Sequence, residues 1–329
     1  MTRTAVRAGS KALTKALRPH PVKSARKATP TRVQPSARLR AGSATAMTAM
    51  TKGRTAALSY RLFVPPGVRR GERLPLLVML HGCSQNVEAF AASTRMNQIA
   101  ARERFVVLYP EQNKLANLQD CWNWHQTRSG RAQHEVDALH ATIDQVCRRH
   151  AIDPARIALA GLSAGASMAA LMALHRPARF RAIAMHSGIA PGLAHSTASA
   201  LSAMRGHGVA APLAALSAGT HLPALLVIQG SADHLVAPSN GTVAAQLWAA
   251  REGAKPTPPR TVQRGKRYAA ALTDYKSKGR LVATLCDIQG LGHAWSGGIA
   301  SQAYSDPKGP DASRMIWAFA VKQFARVAA

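Results

Sequence analysis

The sequence is poor in cysteine, in aromatic residues and in acidic residues. Its 329 residues include four cysteines, and none of them forms a C-x-x-C pair, so neither a disulfide scaffold nor a paired-cysteine zinc site is indicated. The thirteen histidines include no H-E-x-x-H motif. No apolar run approaches the roughly 18 residues that a bilayer requires, which argues against a membrane-spanning protein. With 47% hydrophobic residues, the chain can still bury a full core.

Acidic residues are outnumbered 43 to 15 by lysine and arginine, and they are missing from the first part of the chain. Residues 1–54 contain thirteen lysines and arginines, whereas the first acid is Glu72. This segment has scattered prolines and no sustained periodicity, so we predict a mostly disordered basic arm over residues 1–54. Such a charge favours an anionic partner, for example nucleic acid, lipid headgroups or a charged granule. No signal peptide is recognisable, and the acid-poor composition also fits an organelle transit peptide.

From residue 55 onward, short apolar runs alternate with helical patterns, which is typical of an α/β fold around a largely parallel sheet. We therefore predict one domain over residues 55–329, with helices on both faces of a twisted sheet. The predicted strands are Leu74–Leu80, Phe105–Tyr109, Ile157–Gly161, Arg181–His186, Ala224–Gln229 and Leu281–Ile288. The predicted helices are Val87–Arg102, Glu135–His150, Ala164–His175, Thr242–Glu252 and Asp311–Val327.

The clearest functional motif is G-x-S-x-G at residues 161–165, with Ser163 at its centre. It follows a predicted strand and opens a predicted helix, which is the context of a nucleophile elbow. Glycines allow the sharp turn that lifts the Ser163 hydroxyl clear of its neighbours at the carboxyl edge of the sheet. The N-terminus of the following helix stabilises negative charge at the same place. We therefore predict that Ser163 is a nucleophile.

A serine nucleophile needs a base that is oriented by a carboxylate, and after such an elbow the chain order is serine, acid, histidine. The acids between Ser163 and the last histidine are Asp233, Glu252, Asp274 and Asp287. Asp233 lies in the loop directly after a predicted strand, where a carboxylate at the sheet edge is expected. Glu252 instead lies on a predicted helix, and Asp274 lies in a predicted hairpin. This placement favours Asp233.

The base must follow Asp233, and only His234 and His293 do so. His234 is the sequence neighbour of Asp233, so its ring cannot easily bridge that carboxylate and a distant serine. His293 follows a predicted strand, and its flanking glycines suit a loop that reaches over Ser163. We therefore predict a triad of Ser163, Asp233 and His293.

Acyl transfer also requires N–H donors for the tetrahedral oxyanion, and the loss of one donor costs about 2.7 to 4 kcal/mol of barrier stabilisation. One donor is expected to be the amide of Ala164, directly after the nucleophile. The second comes from the loop after the third strand, where the sequence His81-Gly82-Cys83 is found. We assign it to the Cys83 N–H and expect His81 to shape the loop.

Several motifs in order resemble the poly(3-hydroxybutyrate) depolymerase family of esterases, which is related to feruloyl and acetylxylan esterases. The resemblance covers most of residues 57–325. Its motifs are Leu80-His81-Gly82-Cys83-Ser84-Gln85, Cys121-Trp122-Asn123-Trp124, Ile152-Asp153-Pro154-Ala155-Arg156-Ile157, Gly161-Leu162-Ser163-Ala164-Gly165, Gly230-Ser231-Ala232-Asp233, Gly292-His293-Ala294-Trp295-Ser296-Gly297-Gly298 and Ile316-Trp317-Ala318-Phe319.

The resemblance implies an α/β-hydrolase fold with Ser163 as nucleophile, Asp233 as acid and His293 as base. It also implies hydrolysis of a carboxylic ester through an acyl-serine intermediate, with neither a metal nor an organic cofactor. A feruloyl or acetylxylan esterase is the alternative within this chemistry, and an inactive anion-binding or granule-binding module is the alternative outside it. The family resemblance implies an extracellular location, and the missing signal peptide leaves the cytoplasm as the alternative.

The resemblance further suggests a disulfide between Cys83 and Cys121, and closing a loop of that length stabilises by about 4 kcal/mol in the chain-entropy model. Two reduced buried thiols are the alternative, and Cys147 and Cys286 are expected to be free core residues.

Three tryptophans near the predicted site are candidates for an apolar substrate bed, with core packing as the alternative for each. These tryptophans are Trp122, Trp124 and Trp295.

Overall fold

In the computed structural model of the protein, the described residues are 49–56, 58–208, 211–213 and 220–325. Most of the predicted basic arm, residues 1–48, lies outside them. Thr51–Arg54, which the sequence assigned to the arm, forms an edge strand of the main sheet, so the folded domain begins earlier than residue 55. No helix among the described residues combines the length and the apolar character needed to cross a bilayer.

The strands are short and numerous in the described ranges. They are β1 (Thr51–Arg54), β2 (Ser59–Phe63), β3 (Leu74–Leu80), β4 (Val106–Glu111), β5 (Ile152–Leu162), β6 (Ala182–His186), β7 (Ala224–Gly230), β8 (Lys255–Pro256), β9 (Arg260–Val262), β10 (Ala270–Ser277), β11 (Arg280–Ile288), β12 (Trp295–Ser296) and β13 (Ser305–Asp306). The α-helices are α1 (Val87–Thr94), α2 (Met96–Glu103), α3 (Arg131–Arg149), α4 (Ala164–His175), α5 (Thr197–Met204), α6 (Ser239–Arg251) and α7 (Ala312–Ala325).

The main sheet has the strand order β1-β2-β4-β3-β5-β6-β7-β11-β10-β8, and β9 also pairs with β10. The pairs from β4 to β11 are parallel, whereas the pairs toward both edges are antiparallel. Every residue of β3 and of β7 is buried, as expected for central strands covered on both faces. The predicted α/β-hydrolase architecture is therefore confirmed.

Two apolar clusters cover the two faces of the sheet. One face packs against α3, α4, α5 and α6 and includes Met168 and Trp248. The other packs against α1, α2 and α7 and includes Phe90 and Trp317. The sheet is thus the middle layer of three, which is the arrangement expected when parallel strands are joined by crossover helices.

One predicted helix is interrupted in the structure, so the prediction of a single continuous helix is wrong. The pattern of Val87–Arg102 predicts a single helix, but Arg95 adopts a left-handed conformation with φ 54° and separates α1 from α2. The Arg95 guanidinium donates to the carbonyl of Gly297. A contact between residues so far apart in the chain is invisible to periodicity, which explains why the break could not be predicted.

The parallel strands bring four loops to one edge of the sheet. β3, β5, β7 and β11 all run in the same direction, so their carboxyl ends lie on the same side. The loops that follow them carry Cys83, Ser163, Asp233 and His293, in that order. In α/β folds this edge is where ligands bind.

Candidate active site

Ser163 occupies the sharp turn between β5 and α4. Its backbone has φ 56° and ψ −120°, a conformation that L-residues rarely adopt and that is typical of strain held at functional sites. Its N–H donates to the carbonyl of His186 at 2.9 Å, and its own carbonyl accepts from the N–H groups of Ala166 and Ser167. Its side-chain hydroxyl has no hydrogen-bond partner among the described residues, so it is left available for chemistry.

The two glycines of the motif are required by close packing. A Cβ at Gly165 would lie 2.2 Å from the carbonyl oxygen of Leu80, and a Cβ at Gly161 would lie 2.3 Å from the carbonyl carbon of Gly165. Both neighbours are backbone atoms, which cannot move aside as a flexible side chain can. The positive φ falls on Ser163 itself, so the glycines allow β3, β5 and α4 to approach one another.

Asp233 and His293 form a buried pair at the ends of β7 and β11. The Nδ1 of His293 lies 2.8 Å from Oδ2 of Asp233, and the two side chains are 6% and 0% exposed, respectively. Oδ1 of Asp233 accepts from the N–H groups of Leu235 at 3.0 Å and Val236 at 2.8 Å. Burial raises the pKa of Asp233, but the hydrogen bonds from His293 and from these amides outweigh it and hold the pKa below its usual value.

This pairing selects the tautomer of His293. Because an ionised carboxylate can only accept hydrogen bonds, Nδ1 carries the proton that it shares with Asp233, and Nε2 remains an acceptor. No hydrogen bond joins His293 to the Ser163 hydroxyl within the described part of the chain. Contacts between a nucleophile and its base often tighten only when substrate binds.

The two predicted oxyanion donors lie beside Ser163. Cys83 and Ala164 line the same cleft, and neither backbone N–H donates to another described residue. Both ring nitrogens of His81 are engaged in hydrogen bonds. Its Nδ1 pairs with the Gly82 carbonyl at 2.9 Å, and its Nε2 accepts from the N–H of Gln112 at 3.2 Å. Burial lowers the pKa of His81, which keeps the ring neutral.

The cleft over Ser163 is mostly apolar, and it contains two of the three predicted tryptophans. Trp122 and Trp124 line it, whereas Trp295 does not. The other lining residues are Cys83, Cys121, His125, Ser163, Ala164, Ser167, Ser187, Gly188, Ile189, Thr197, Ala200, Met204 and Val236. The sequence did not predict α5, which contributes Thr197, Ala200 and Met204 to this lining. The sequence signal for this helix is the capping box that Ser196 and Ser199 form at its start.

The predicted substrate contact of Trp295 does not fit its position. Its ring is fully buried in the core, 5.2 Å from the ring of His186 and 5.4 Å from that of Phe90. Its indole N–H donates to the hydroxyl of Ser313 at 3.0 Å. Trp295 therefore packs beneath the loop that carries His293, because its strand β12 turns the ring toward α1 and α7.

Cys83 and Cys121 form the disulfide that the resemblance suggested, across 38 residues of sequence. It ties the loop with the predicted oxyanion donor to the segment with Trp122 and Trp124. Cys147 and Cys286 are free. Burial raises the pKa of Cys286 to about 12, so its thiol stays protonated and unreactive.

The chain is similar in sequence to a known family of esterases. The sequence model of the family described as "Esterase PHB depolymerase" matches residues 58–251, more than half of the chain. The chain belongs to this family. It is 33% identical over 194 residues to poly(3-hydroxyalkanoate) depolymerase C of Paucimonas lemoignei, a match that covers 56% of this chain and 46% of that protein. The chain thus spans about half the length of this curated family relative.

Two further similarities concern acetylxylan esterases. The chain is 23% identical over 221 residues to acetylxylan esterase A of Emericella nidulans, covering 63% of this chain and 71% of that protein. The structure of the acetyl xylan esterase from Aspergillus awamori superposes with a TM-score of 0.62 at 16% identity, covering 74% of this chain and 94% of that chain. At this identity the structural likeness shows the fold alone.

Within the described ranges, no group of three or more histidine, cysteine, aspartate or glutamate side chains is arranged to hold a metal ion.

Proposed function

We propose that this family member is a serine esterase that hydrolyses carboxylic esters, with Ser163, Asp233 and His293 as its triad. The observation that carries the proposal is the buried pair of Asp233 and His293 at the same sheet edge as the strained Ser163 turn. The three residues are separated by at least 60 positions. They follow β5, β7 and β11, whose carboxyl ends lie at one edge because these strands run parallel. The family membership and the esterase relatives support the same reaction.

In the proposed mechanism, the Ser163 hydroxyl attacks the ester carbonyl carbon while Nε2 of His293 takes its proton. Asp233 stabilises the imidazolium that forms, and the N–H groups of Cys83 and Ala164 stabilise the oxyanion. The tetrahedral intermediate then expels the alcohol, which receives the proton from His293 and leaves an acyl-serine. Water, deprotonated by His293, attacks this acyl group and releases the carboxylic acid and free Ser163.

For the substrate, we propose esters of the hydroxyalkanoate type, either polymer or oligomer. The aromatic and aliphatic lining of the cleft suits a short aliphatic acyl chain. The Paucimonas relative is named for depolymerisation of a poly(3-hydroxyalkanoate). Relatives named as acetylxylan esterase and as feruloyl esterase make an acetyl or feruloyl ester the second candidate.

A substrate panel tests this choice. Purified protein is assayed on p-nitrophenyl acetate and butyrate, on 3-hydroxybutyrate oligomers, on acetylated xylan and on methyl ferulate, and kcat/KM is compared. We expect the hydroxybutyrate oligomers to give the highest kcat/KM among the natural esters. A higher value on acetylated xylan or methyl ferulate would assign the enzyme to the second candidate, and no turnover on any ester would refute the proposed activity.

We further propose that the basic N-terminal arm attaches the enzyme to an anionic surface or granule. Its support is the excess of lysine and arginine before the first acid of the chain. A truncated protein that starts at residue 49 keeps β1, so we expect it to retain small-ester turnover. Its retention on anionic vesicles should fall and lose its salt dependence. Loss of turnover, or unchanged vesicle binding, would contradict this division of roles.

A further inference from the structure

Glu135 is a buried carboxyl residue on α3 that the proposed reaction does not use. Its residue exposure is 8%, and no cation among the described residues forms an ion pair with it. N–H donors surround it instead. The backbone N–H of Asn123 donates to Oε2 at 2.8 Å, and Nε2 of Gln112 donates to Oε1 at 2.9 Å. The side-chain amide of Asn123 also donates to Oε1.

The first hydrogen-bonded connection runs from Glu135 to the aromatic wall of the cleft, which is formed by Trp122 and Trp124. Asn123 is fully buried and stands in the chain between Trp122 and Trp124, the two tryptophans that line the cleft. Its own Oδ1 accepts from Asn117 at 3.0 Å and from Gln126 at 3.2 Å. Both ends of this side chain are therefore anchored, and the anchor on the α3 side is Glu135.

The second hydrogen-bonded connection runs from Glu135 through Gln112 to Cys121, which belongs to the disulfide. Besides binding Glu135, Nε2 of Gln112 donates to the carbonyl of Cys121 at 2.9 Å. The same carboxylate thus holds the wall at Asn123 directly and at Cys121 through Gln112. Removing one acceptor from such a buried network leaves N–H groups without partners, so the segment would have to move to satisfy them.

A third connection leads from Gln112 to the proposed oxyanion donor. Its backbone N–H donates to Nε2 of His81, so Nδ1 of His81 carries the proton and donates to the carbonyl of Gly82. That carbonyl and the N–H of Cys83 belong to one planar trans peptide and point in opposite directions. Holding the carbonyl therefore orients the Cys83 N–H.

We propose that Glu135 is a positioning residue that sets the aromatic wall of the cleft and thereby the choice of acyl group. The inference rests on the proposed esterase function. Glu135 acts through Asn123 and Gln112, because their hydrogen bonds hold the segment that carries the two tryptophans against α3. The indole N–H of Trp122 is held separately by the carbonyl of His81 at 3.1 Å.

The test compares Glu135→Gln with a matched variant, Glu252→Gln. Glu252 is also a buried carboxylate, with a side chain 2% exposed, and it binds the N–H of Leu222 and the guanidinium of Arg280. These residues lie where β7 and β11 begin, at the opposite edge of the sheet from the cleft. In Glu135→Gln, the new NH₂ group faces N–H donors, which disrupts the network at one of the two oxygens.

The first readout is the ratio of kcat/KM on p-nitrophenyl butyrate to that on p-nitrophenyl acetate, in which the fraction of folded protein cancels. We expect Glu135→Gln to change this ratio by about fivefold or more, since a misplaced apolar wall changes how well one or two methylenes are held. Glu252→Gln should lower the melting temperature without changing the ratio.

The second readout is amide hydrogen exchange of residues 119–126, which does not depend on activity. Exchange there should accelerate in Glu135→Gln and stay at the wild-type rate in Glu252→Gln. If Glu135→Gln fails to fold, Gln112→Ala is measured in its place. It removes the connection from Glu135 to Cys121, leaves the one to Asn123, and keeps the backbone N–H that binds His81.

An unchanged ratio with unchanged exchange, or equal effects of the two glutamate variants, would overturn the inference. A wild-type protein that hydrolyses no ester would refute the proposed function, and the exchange measurement would still decide whether Glu135 positions the wall.

Discussion

Replacing Ser163 with alanine is expected to lower kcat/KM on p-nitrophenyl butyrate by about 10⁴-fold or more, because the acyl-serine route is lost. The melting temperature should stay near that of the wild type, since the hydroxyl makes no hydrogen bond with a described residue. Steady-state kinetics and thermal unfolding measure the two effects. Ser129→Ala, which changes an exposed serine, is the control and should keep full activity.

The same prediction extends to the other members of the triad. His293→Ala should be as damaging as Ser163→Ala, and the double variant should be no worse than either single one, because the residues act as a unit. Turnover by Ser163→Ala above about 1% of the wild-type value would show that another group attacks the ester. Full activity of His293→Ala would remove the proposed base.

Replacing Gly165 with alanine is expected to lower the free energy of unfolding by more than about 4 kcal/mol, or to prevent folding. The added methyl group would lie 2.2 Å from the Leu80 carbonyl oxygen and 2.5 Å from that of His81. These atoms belong to β3 and to the predicted oxyanion loop, so relief of the clash requires α4 to move away from the sheet. Urea unfolding followed by circular dichroism measures the loss.

Gly292→Ala is the matched control for this substitution. It lies at the same edge of the sheet, but a Cβ there would meet the carbonyl oxygen of Ala232 at 3.8 Å, an ordinary contact. Its stability should stay within about 1 kcal/mol of the wild type. A stable Gly165→Ala protein would show that the packing of α4 on β3 is less tight than the structure indicates.

Much of the fold was predictable because central parallel strands are continuous apolar runs. The strand Leu74–Leu80 and the helix Ala164–His175 have the bounds expected from their patterns. The edge strands β1, β2, β8 and β9 and the helix α5 were missed, since they are short and carry mixed polar residues. The pairing of strands at the edge of a sheet also depends on neighbours that lie far away in sequence.

The candidate site was predictable in part for a different reason. Chain order and strand-end placement made Asp233 and His293 candidates before any contact was known, and the structure places them 2.8 Å apart. The prediction that Trp295 contributes to a substrate bed rested on its nearness to His293 in the chain, and it was wrong. Proximity to His293 in sequence says nothing about which side of the loop a ring faces, and here it faces the core.

By itself, the sequence determined the elbow motif, the succession of serine, acid and histidine, and the alternation of strands and helices. These signals are local: each is a short run of residues whose types limit the backbone or the chemistry available. Only the tertiary structure decided that α5 lines the cleft, that Trp295 lies in the core and that Glu135 stands behind the aromatic wall. Those facts depend on contacts between distant segments, and close packing selects such contacts through shapes that no single segment contains.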